Sequence, residues 1–383
     1  MATAQQGPAG FRVYTLDAGI ANDGRHDLAV AVAVADRRCA ASALYTRSRF
    51  AGPSVTLSRT VAEPQGVVVA SRNANVATGP AGAADAAELQ RLAGQRAGAL
   101  GPLLVASTGV IGRRYPIEAM RQRLAADWPA PGTWQDFAAA IMTTDTRPKL
   151  AFGGAGPASI VGIAKGVGMI EPNLATMLAF FFTDAELPAG ELDRIFRAVV
   201  AISFNALSID TDTSTSDTAA IFASGLAGPV EAGGFQAALT EVALDLVRQI
   251  ARDGEGASKL LTVTVTGARD GRQAKRVAKS IVNSPLVKTM VHGADPNWGR
   301  VVMAVGKCED ELDIDPDRVR VSLCDRPVYP EAPDAGELAV LRTLMSGDTV
   351  PIAVELQIGE GRFTAYGCDL TAGYVHLNSA YTT

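Results

Sequence analysis

The chain has few of the residues on which metal, disulfide and nucleic-acid chemistry depend. Three histidines and four cysteines are spread over 383 residues, without a CxxC pair or a metal-like cluster. Aromatic residues make up only 6% and the formal net charge is -5, so neither a base-stacking surface nor a concentrated basic face is expected. We therefore expect no bound metal, no cofactor and no nucleic-acid partner.

Long apolar runs are also missing. Stretches such as residues 177–182 are far shorter than the ~20 residues that a membrane-spanning helix needs. The N-terminus lacks the basic start and apolar core of a secretory signal. The sequence therefore predicts a cytoplasmic protein without a membrane partner, and its cysteines are expected to be reduced and mostly buried thiols.

Apolar periodicity predicts both strands and helices. Short apolar runs at residues 67–70 and 103–106 predict buried strands, and alternation at 262–266 and 352–358 predicts two more. The stretch 83–100 is rich in Ala, Leu, Gln and Arg, which favours a helix. Mixed helices and strands predict an α/β or α+β fold in which helices cover mixed sheets.

Later segments indicate how the chain is divided. Amphipathic helices are predicted at residues 235–252 and from about Glu191 onward. The Asp-Gly-Glu-Gly turn at residues 253–256 closes the former helix and precedes a strand. Because 383 residues exceed the usual size of one hydrophobic core, we predict a larger domain at 1–253 and a smaller one at 254–383.

One glycine-rich stretch, residues 162–183, carries the chemical information. Its glycines allow positive φ or close approach of the backbone, Glu-Pro-Asn favours a turn, and Thr176 then begins an apolar run. A structural interpretation is a loop entering a core strand, with threonine as a β-branched strand former. A P-loop is not indicated, because the glycine spacing differs.

The stretch from Lys165 to Leu178, Lys-Gly-Val-Gly-Met-Ile-Glu-Pro-Asn-Leu-Ala-Thr-Met-Leu, closely resembles the self-cleavage motif of the ornithine acetyltransferase (glutamate N-acetyltransferase) family. Further blocks resemble that family in the same order along the chain, at residues 72–79, 106–112, 141–146, 210–217, 253–256, 292–300 and 378–383. Several blocks in one order are more specific than any one of them.

The resemblance implies a fold and a reaction. The implied fold is a layered helix/sheet/sheet/helix sandwich, related to the N-terminal-nucleophile fold, with a smaller C-terminal α/β part. The implied precursor breaks between Ala175 and Thr176 into an α chain, 1–175, and a β chain from 176. The freed Thr176 would carry the acetyl group from N-acetylornithine to glutamate in a ping-pong mechanism, with its α-amino group as general base.

The resemblance also implies the site residues. Thr108 and Gly109 match the positions that stabilise the oxyanion. Matches to substrate contacts fall at Thr143, Lys165, Thr176, Glu255, Asn378 and Thr383. The choice between Thr143 and Thr144 stays open, with Thr143 ranked first. By charge, Lys165 would pair with a carboxylate or stabilise charge near the reacting centre, and Glu255 would attract the ornithine ammonium.

Two departures and several alternatives remain. Arg72 stands where a small residue such as Gly is expected, and Val167 stands where Ser, Ala or Gly is commoner. Arg72 and the stretch at residues 45–53 resemble a paralogous subgroup linked to specialised-metabolite pathways, including clavulanic acid biosynthesis. The rival functions are an N-terminal-nucleophile amidohydrolase or aminopeptidase, with water as acceptor, and an uncleaved binding protein. Acetyl-coenzyme A as a further donor also stays open. The expected assembly is a pair of α/β heterodimers, or a larger form.

Overall fold

A computed structural model describes residues 7–21, 23–34, 39–126, 128–171 and 177–380 of the chain. The strands within these ranges are β1 (Phe11–Leu16), β2 (Leu28–Ala33), β3 (Ala40–Tyr45), β4 (Gly66–Ala70), β5 (Leu104–Ser107), β6 (Lys149–Ala155), β7 (Ala158–Lys165), β8 (Leu178–Glu186), β9 (Thr218–Pro229), β10 (Leu260–Ala268), β11 (Arg320–Leu323), β12 (Arg326–Tyr329), β13 (Thr349–Glu355) and β14 (Gly361–Cys368). The helices are α1 (Pro53–Ser58), α2 (Gly79–Ala97), α3 (Ile117–Ala125), α4 (Trp134–Ala140), α5 (Ala189–Ile202), α6 (Ala232–Arg252), α7 (Gly271–Val282), α8 (Pro285–His292), α9 (Gly299–Gly306), α10 (Ala335–Met345) and α11 (Ala372–Ala380).

Two sheets pack face to face in the larger part of the molecule. The first has the order β1-β2-β4-β5 and the second the order β3-β9-β8-β7-β6. Strand β8 is buried along almost its whole length, and successive side chains of a strand point to opposite faces. Phe180 and Phe182 accordingly lie in the core between the sheets, where Phe182 stacks on Phe222 at 5.3 Å. Phe181 faces the other way, toward Phe196 of α5.

Helices cover the outer face of each sheet. Leu89 and Ala93 of α2 pack with Val68 of β4 in the core outside the first sheet. Helices α5 and α6 supply the core outside the second sheet. The resulting order of layers is helix, sheet, sheet, helix, so the fold expected from the resemblance is confirmed.

The third sheet has the order β12-β11-β13-β10-β14. Helices α7, α8 and α9 pack on one face of it, and α6 lies against Tyr366 and Cys368 of β14 on the other. The predicted alternation in β10 is confirmed, since Val263 and Val265 are buried between less buried threonines. The boundary between residues 253 and 254 stays a prediction.

Most predicted elements are confirmed, but some of their ends are corrected. Helix α2 spans Gly79–Ala97 rather than 83–100, because Gly98 takes a left-handed φ of 67° and ends the helix there. Strand β13 ends at Glu355, because Gln357 has a positive φ of 54° that breaks the pleat. Thr176, predicted at the head of a strand, lies outside the described residues. No helix in the described ranges is both long and apolar enough to cross a membrane.

Candidate active site

A cavity of about 410 Å³ with both polar and apolar lining residues opens where the ends of the two central sheets meet. It is bordered by the turn after β5, the end of β7, the start of β8 and the loop before β9. Residues that line it include Thr108, Gly109, Thr143, Thr144, Lys165, Met177, Asp217, Glu255 and Asn378. Segments that are far apart in the chain thus contribute to one site.

Lys165 supplies the positive charge of the cavity. It ends β7, and only 8% of it is exposed. Its Nζ donates hydrogen bonds of 2.9 Å to Thr108 Oγ1 and to Thr143 Oγ1. Burial lowers the pKa of Lys165, while the carboxylate of Asp145 opposes that change. An ammonium has three N–H groups, so one is left for a ligand.

The turn after β5 presents the donors of a candidate oxyanion site. The backbone N–H of Thr108 donates to Ala70 O at 3.0 Å, so this amide is not available to a ligand. The Thr108 hydroxyl accepts from Lys165, and its own proton therefore points elsewhere. Gly109 has a φ of 124°, and a Cβ there would lie 2.2 Å from the carbonyl carbon of Arg72. Only glycine fits this approach.

The Arg72 backbone explains why a small residue was expected at that position. Arg72 has a φ of 70°, in the left-handed region that favours glycine. Its guanidinium bonds Asp23 at 2.6 Å and donates to His26 O at 2.7 Å. These contacts hold the long side chain while its backbone packs against Gly109.

Glu255 is one of the carboxylates that line the cavity, and it is held on both oxygens. Thr144 Oγ1 donates to Oε1 at 3.0 Å, and Asn378 Nδ2 donates to Oε2 at 2.9 Å. Its backbone N–H donates to Val167 O at 2.8 Å. A Cβ at Gly168 would lie 2.6 Å from Oε2, so glycine there makes room for the carboxylate. Both threonines of the uncertain register therefore face the site, each with a different charged partner.

A buried ion-pair network fixes the segments that carry these groups. Lys149, with no exposed surface, contacts Asp145 Oδ1 and Asp253 Oδ2 at 2.6 Å each. Asp145 also accepts from the backbone N–H groups of Gly166 and Thr143, at 2.8 and 3.1 Å. Burial by itself would raise the pKa of Asp145, but the Lys165 and Lys149 cations outweigh it and lower the pKa to about 2. The network joins three site-bearing segments.

A second carboxylate holds the glycine-rich loop. The two oxygens of Asp210 accept from the backbone N–H groups of Met169 and Ile170, at 2.6 and 2.8 Å. Burial raises the pKa of Asp210, and these hydrogen bonds oppose that rise. The loop is thereby fixed immediately before Glu171, the last described residue ahead of the predicted cleavage site.

The structure brings six of the predicted site residues to one cavity, namely Thr108, Gly109, Thr143, Lys165, Glu255 and Asn378. Ala175, Thr176 and Thr383 lie outside the described residues, although Met177 borders the cavity.

Sequence reasoning missed Asp217, which lines the cavity, and the ion pair between Asp145 and Lys149. Asp217 and Asp145 belong to blocks that carry the family resemblance, which was an available signal. Lys149 had none. In the part of the chain that the structure describes, no group of three or more His, Cys, Asp or Glu residues is placed to hold a metal ion.

A four-layer α/β sandwich with a cavity at the ends of its central strands, into which a few charged and polar groups converge, defines the class: an α/β protein with a candidate small-molecule site. Residues 12–383 match the model of the ArgJ family. The chain therefore belongs to the ArgJ family.

Known relatives match the chain along almost its whole length. It is 56% identical to glutamate N-acetyltransferase Oat2 of Streptomyces clavuligerus, over 98% of each chain. It is 52% identical to the arginine biosynthesis bifunctional protein ArgJ of Rhodococcoides fascians, over 98% of this chain and 94% of the relative.

The crystal structure of the arginine biosynthesis bifunctional protein argJ from Bacillus halodurans is 37% identical, with a TM-score of 0.50. That match covers 53% of this chain and 98% of the solved chain.

Proposed function

We propose that this chain is a glutamate N-acetyltransferase that moves an acetyl group from N-acetylornithine to glutamate through an acetyl ester on Thr176. One observation carries the proposal: the Lys165 ammonium, the Thr108–Gly109 turn and the fixed Glu255 carboxylate border one cavity together with Met177, the residue after Thr176. Relatives at 52% and 56% identity are named for acetyl transfer to glutamate or for arginine biosynthesis, which supports the same reaction.

In the proposed mechanism, the chain first activates itself by cutting its own backbone. The Thr176 hydroxyl attacks the preceding Ala175 carbonyl carbon and the C–N bond between the two residues breaks, which frees the α-amino group of Thr176 and leaves an ester. Water then hydrolyses that ester, which releases the Ala175 carboxyl group and restores the Thr176 hydroxyl. In the match to the Bacillus halodurans structure, nearly all of the solved chain covers only 53% of this one. That share is close to the length of the proposed β chain, residues 176–383, which supports the proposed cleavage.

The acetyl transfer then runs in two steps. Thr176 Oγ attacks the acetyl carbonyl carbon while its proton passes to the α-amino group, and the C–N bond to ornithine breaks as ornithine takes that proton. The amino nitrogen of glutamate next attacks the ester carbon, and N-acetylglutamate leaves as the threonine hydroxyl is restored. Each step passes through a tetrahedral oxyanion, for which the Thr108 hydroxyl and Gly109 amide are the proposed donors.

The charged groups of the cavity determine where each end of the substrate binds in this proposal. Glu255, with both oxygens held, faces the distal ammonium of the ornithine substrate. Lys165 keeps one N–H for a carboxylate or for the developing oxyanion. Because the two opposite charges have fixed positions, an amino acid that carries both charges is bound in one orientation.

The wider setting is part of the same proposal. We place the protein in the cytoplasm, as a pair of α/β heterodimers or a larger assembly, with domains at 1–253 and 254–383. Relatives at 56% and 52% identity that are named for arginine biosynthesis support that pathway. The arginine at position 72 and the relative from Streptomyces clavuligerus support the subgroup linked to clavulanic acid biosynthesis as the alternative.

Intact-mass spectrometry before and after incubation with N-acetylornithine tests the function. The expected result is two fragments split between Ala175 and Thr176, with one acetyl group gained on the fragment that begins at Thr176. Thr176→Ala should abolish both cleavage and transfer, and Thr176→Ser should keep part of both. Thr240→Ala is the matched control, because the Thr240 hydroxyl only bonds Gln236 O within its own helix.

Each contrary outcome would contradict a different part of the proposed function. Cleavage that persists in Thr176→Ala would remove Thr176 as nucleophile. Acetyl-enzyme turnover that glutamate does not accelerate would indicate a hydrolase that uses water. A single chain that never gains an acetyl group would indicate a binding protein.

A further inference from the structure

Asp217 is a buried acid with an incomplete set of partners beside the reaction centre. Only 2% of it is exposed, and it borders the same cavity as Lys165. Its Oδ2 is inaccessible to water and has no hydrogen-bond partner among the described residues. Leaving a buried polar atom unpaired costs on the order of 1–3 kcal/mol, so such an atom beside an active site calls for an explanation in the chemistry.

The strand register places Asp217 next to the proposed nucleophile in the chain. Strands β8 and β9 are parallel, with Leu178 opposite Thr218. The backbone N–H of Thr218 donates to Met177 O at 3.1 Å. Neighbouring strands lie about 4.8 Å apart, so Asp217 lies beside Met177, whose backbone nitrogen is bonded to residue 176. Asp217 is thus next to the described residue that directly follows the proposed nucleophile in the chain.

We propose that Asp217 is a positioning residue of the acyl-transfer site, and that its Oδ2 accepts a hydrogen bond from the α-amino group freed at Thr176. The inference rests on the proposed self-cleavage, because that amine does not exist in the uncut chain. Oδ2 has no partner among the described residues, and cleavage supplies a new donor. Held in this way, the amine directs its lone pair at the threonine hydroxyl, as a general base must.

The acid acts in its neutral form. Burial raises the pKa of Asp217 well above its ordinary value, and a hydrogen bond from Ser214 and the nearby Lys165 cation oppose that rise only in part. Lys165 is itself surrounded by Asp145, Lys149 and Glu255. An ionised Asp217 would favour the ammonium form of its partner, and an ammonium is no base. A neutral acid orients the amine without that effect.

Two substitutions at Asp217 separate this role from simple packing. Asp217→Asn keeps a neutral side chain with an acceptor oxygen, so kcat and the acid limb of its pH profile should match the wild type. Asp217→Leu keeps bulk but loses the acceptor. Its kcat should fall on the order of 10²-fold with KM unchanged, since misplacing a catalytic group by about 1 Å has that effect. Asp184→Asn is the control, a buried acid away from the cavity whose two oxygens accept from Ala9 and Ser159 N–H groups.

The fragment pattern and the kinetics are measured on the same purified proteins. Cleavage should persist in both Asp217 variants, because the amine forms only afterwards. A cut Asp217→Leu protein with wild-type kcat would overturn this inference alone, whereas an uncut wild type would overturn the proposed function as well. An acid limb that moves to lower pH in Asp217→Asn would overturn the neutral-acid role. If Asp217→Leu does not fold, the Asn profile still decides that point.

Discussion

Replacing Lys149 with methionine leaves two buried carboxylates without the ammonium that lies between them. Lys149 is fully buried, and its Nζ is 2.6 Å from both Asp145 and Asp253. Methionine has nearly the same length and fills the space, so the loss is mainly electrostatic. Removing one partner of a buried ion pair costs about 3–5 kcal/mol, which we expect as the loss of unfolding free energy.

The same substitution should weaken the site. Asp145 holds the backbone of Thr143 and Gly166, and Asp253 accepts from Thr146 N at 3.1 Å. Two repelling carboxylates would shift these segments, and a shift of about 1 Å lowers kcat on the order of 10²-fold. Neither effect requires Lys149 to touch a substrate.

Urea unfolding followed by circular dichroism, with steady-state kinetics on the same samples, measures both effects. The matched control is Arg197→Met, which removes an exposed pair with Asp193 at 2.8 Å. An exposed pair of this kind contributes about 0.3–0.5 kcal/mol. If Lys149→Met is no less stable than the control, the network does not hold the site together, and the argument from buried charge is wrong.

Two further changes follow from the same geometry. Because the pKa of Asp145 is lowered from 3.8 to about 2, its contribution to stability is present above pH 3.8 and lost as the pH falls toward 2; acid titration of the circular dichroism signal should show unfolding in that window, and a flat signal would contradict it. Gly109→Ala would place a Cβ 2.2 Å from the Arg72 carbonyl carbon, so kcat/KM should fall on the order of 10²-fold. Gly112 also has a positive φ, but a Cβ there would meet no atom within 4 Å. The control Gly112→Ala should therefore lose about 1–3 kcal/mol of stability and keep its activity. Equal activity in the two variants would argue against the oxyanion role of the turn.

Local physics was enough to predict most elements from the sequence. The two-residue alternation of β10 and the apolar stripe of α6 depend on which faces are buried, and each pattern is complete within its own segment. The ends of elements were less predictable. Helix α2 ends at Gly98, and β13 at a backbone turn near Gln357, because single residues adopt positive φ there.

The candidate site was likewise predictable only in part from the sequence. Lys165 and Glu255 were found because their motifs resemble a family, whereas the chain alone gave no reason to place them in one cavity. The structure does so through β7 and the turn after α6, and it gives Thr143 and Thr144 separate charged partners.

What the sequence determined by itself was the alternation of buried and exposed faces and the identity of the reactive motif. Only the tertiary structure decided which charged side chains are buried and which of them form pairs. Lys149 begins a strand like many solvated lysines, and its partner Asp253 is 104 residues away in the chain. Asp217 follows a run of polar residues, yet it is buried beside Met177 with an oxygen that has no partner in the part of the chain that the structure describes. Burial and electrostatic pairing act through space between distant segments, so the order of residues along the chain does not reveal them.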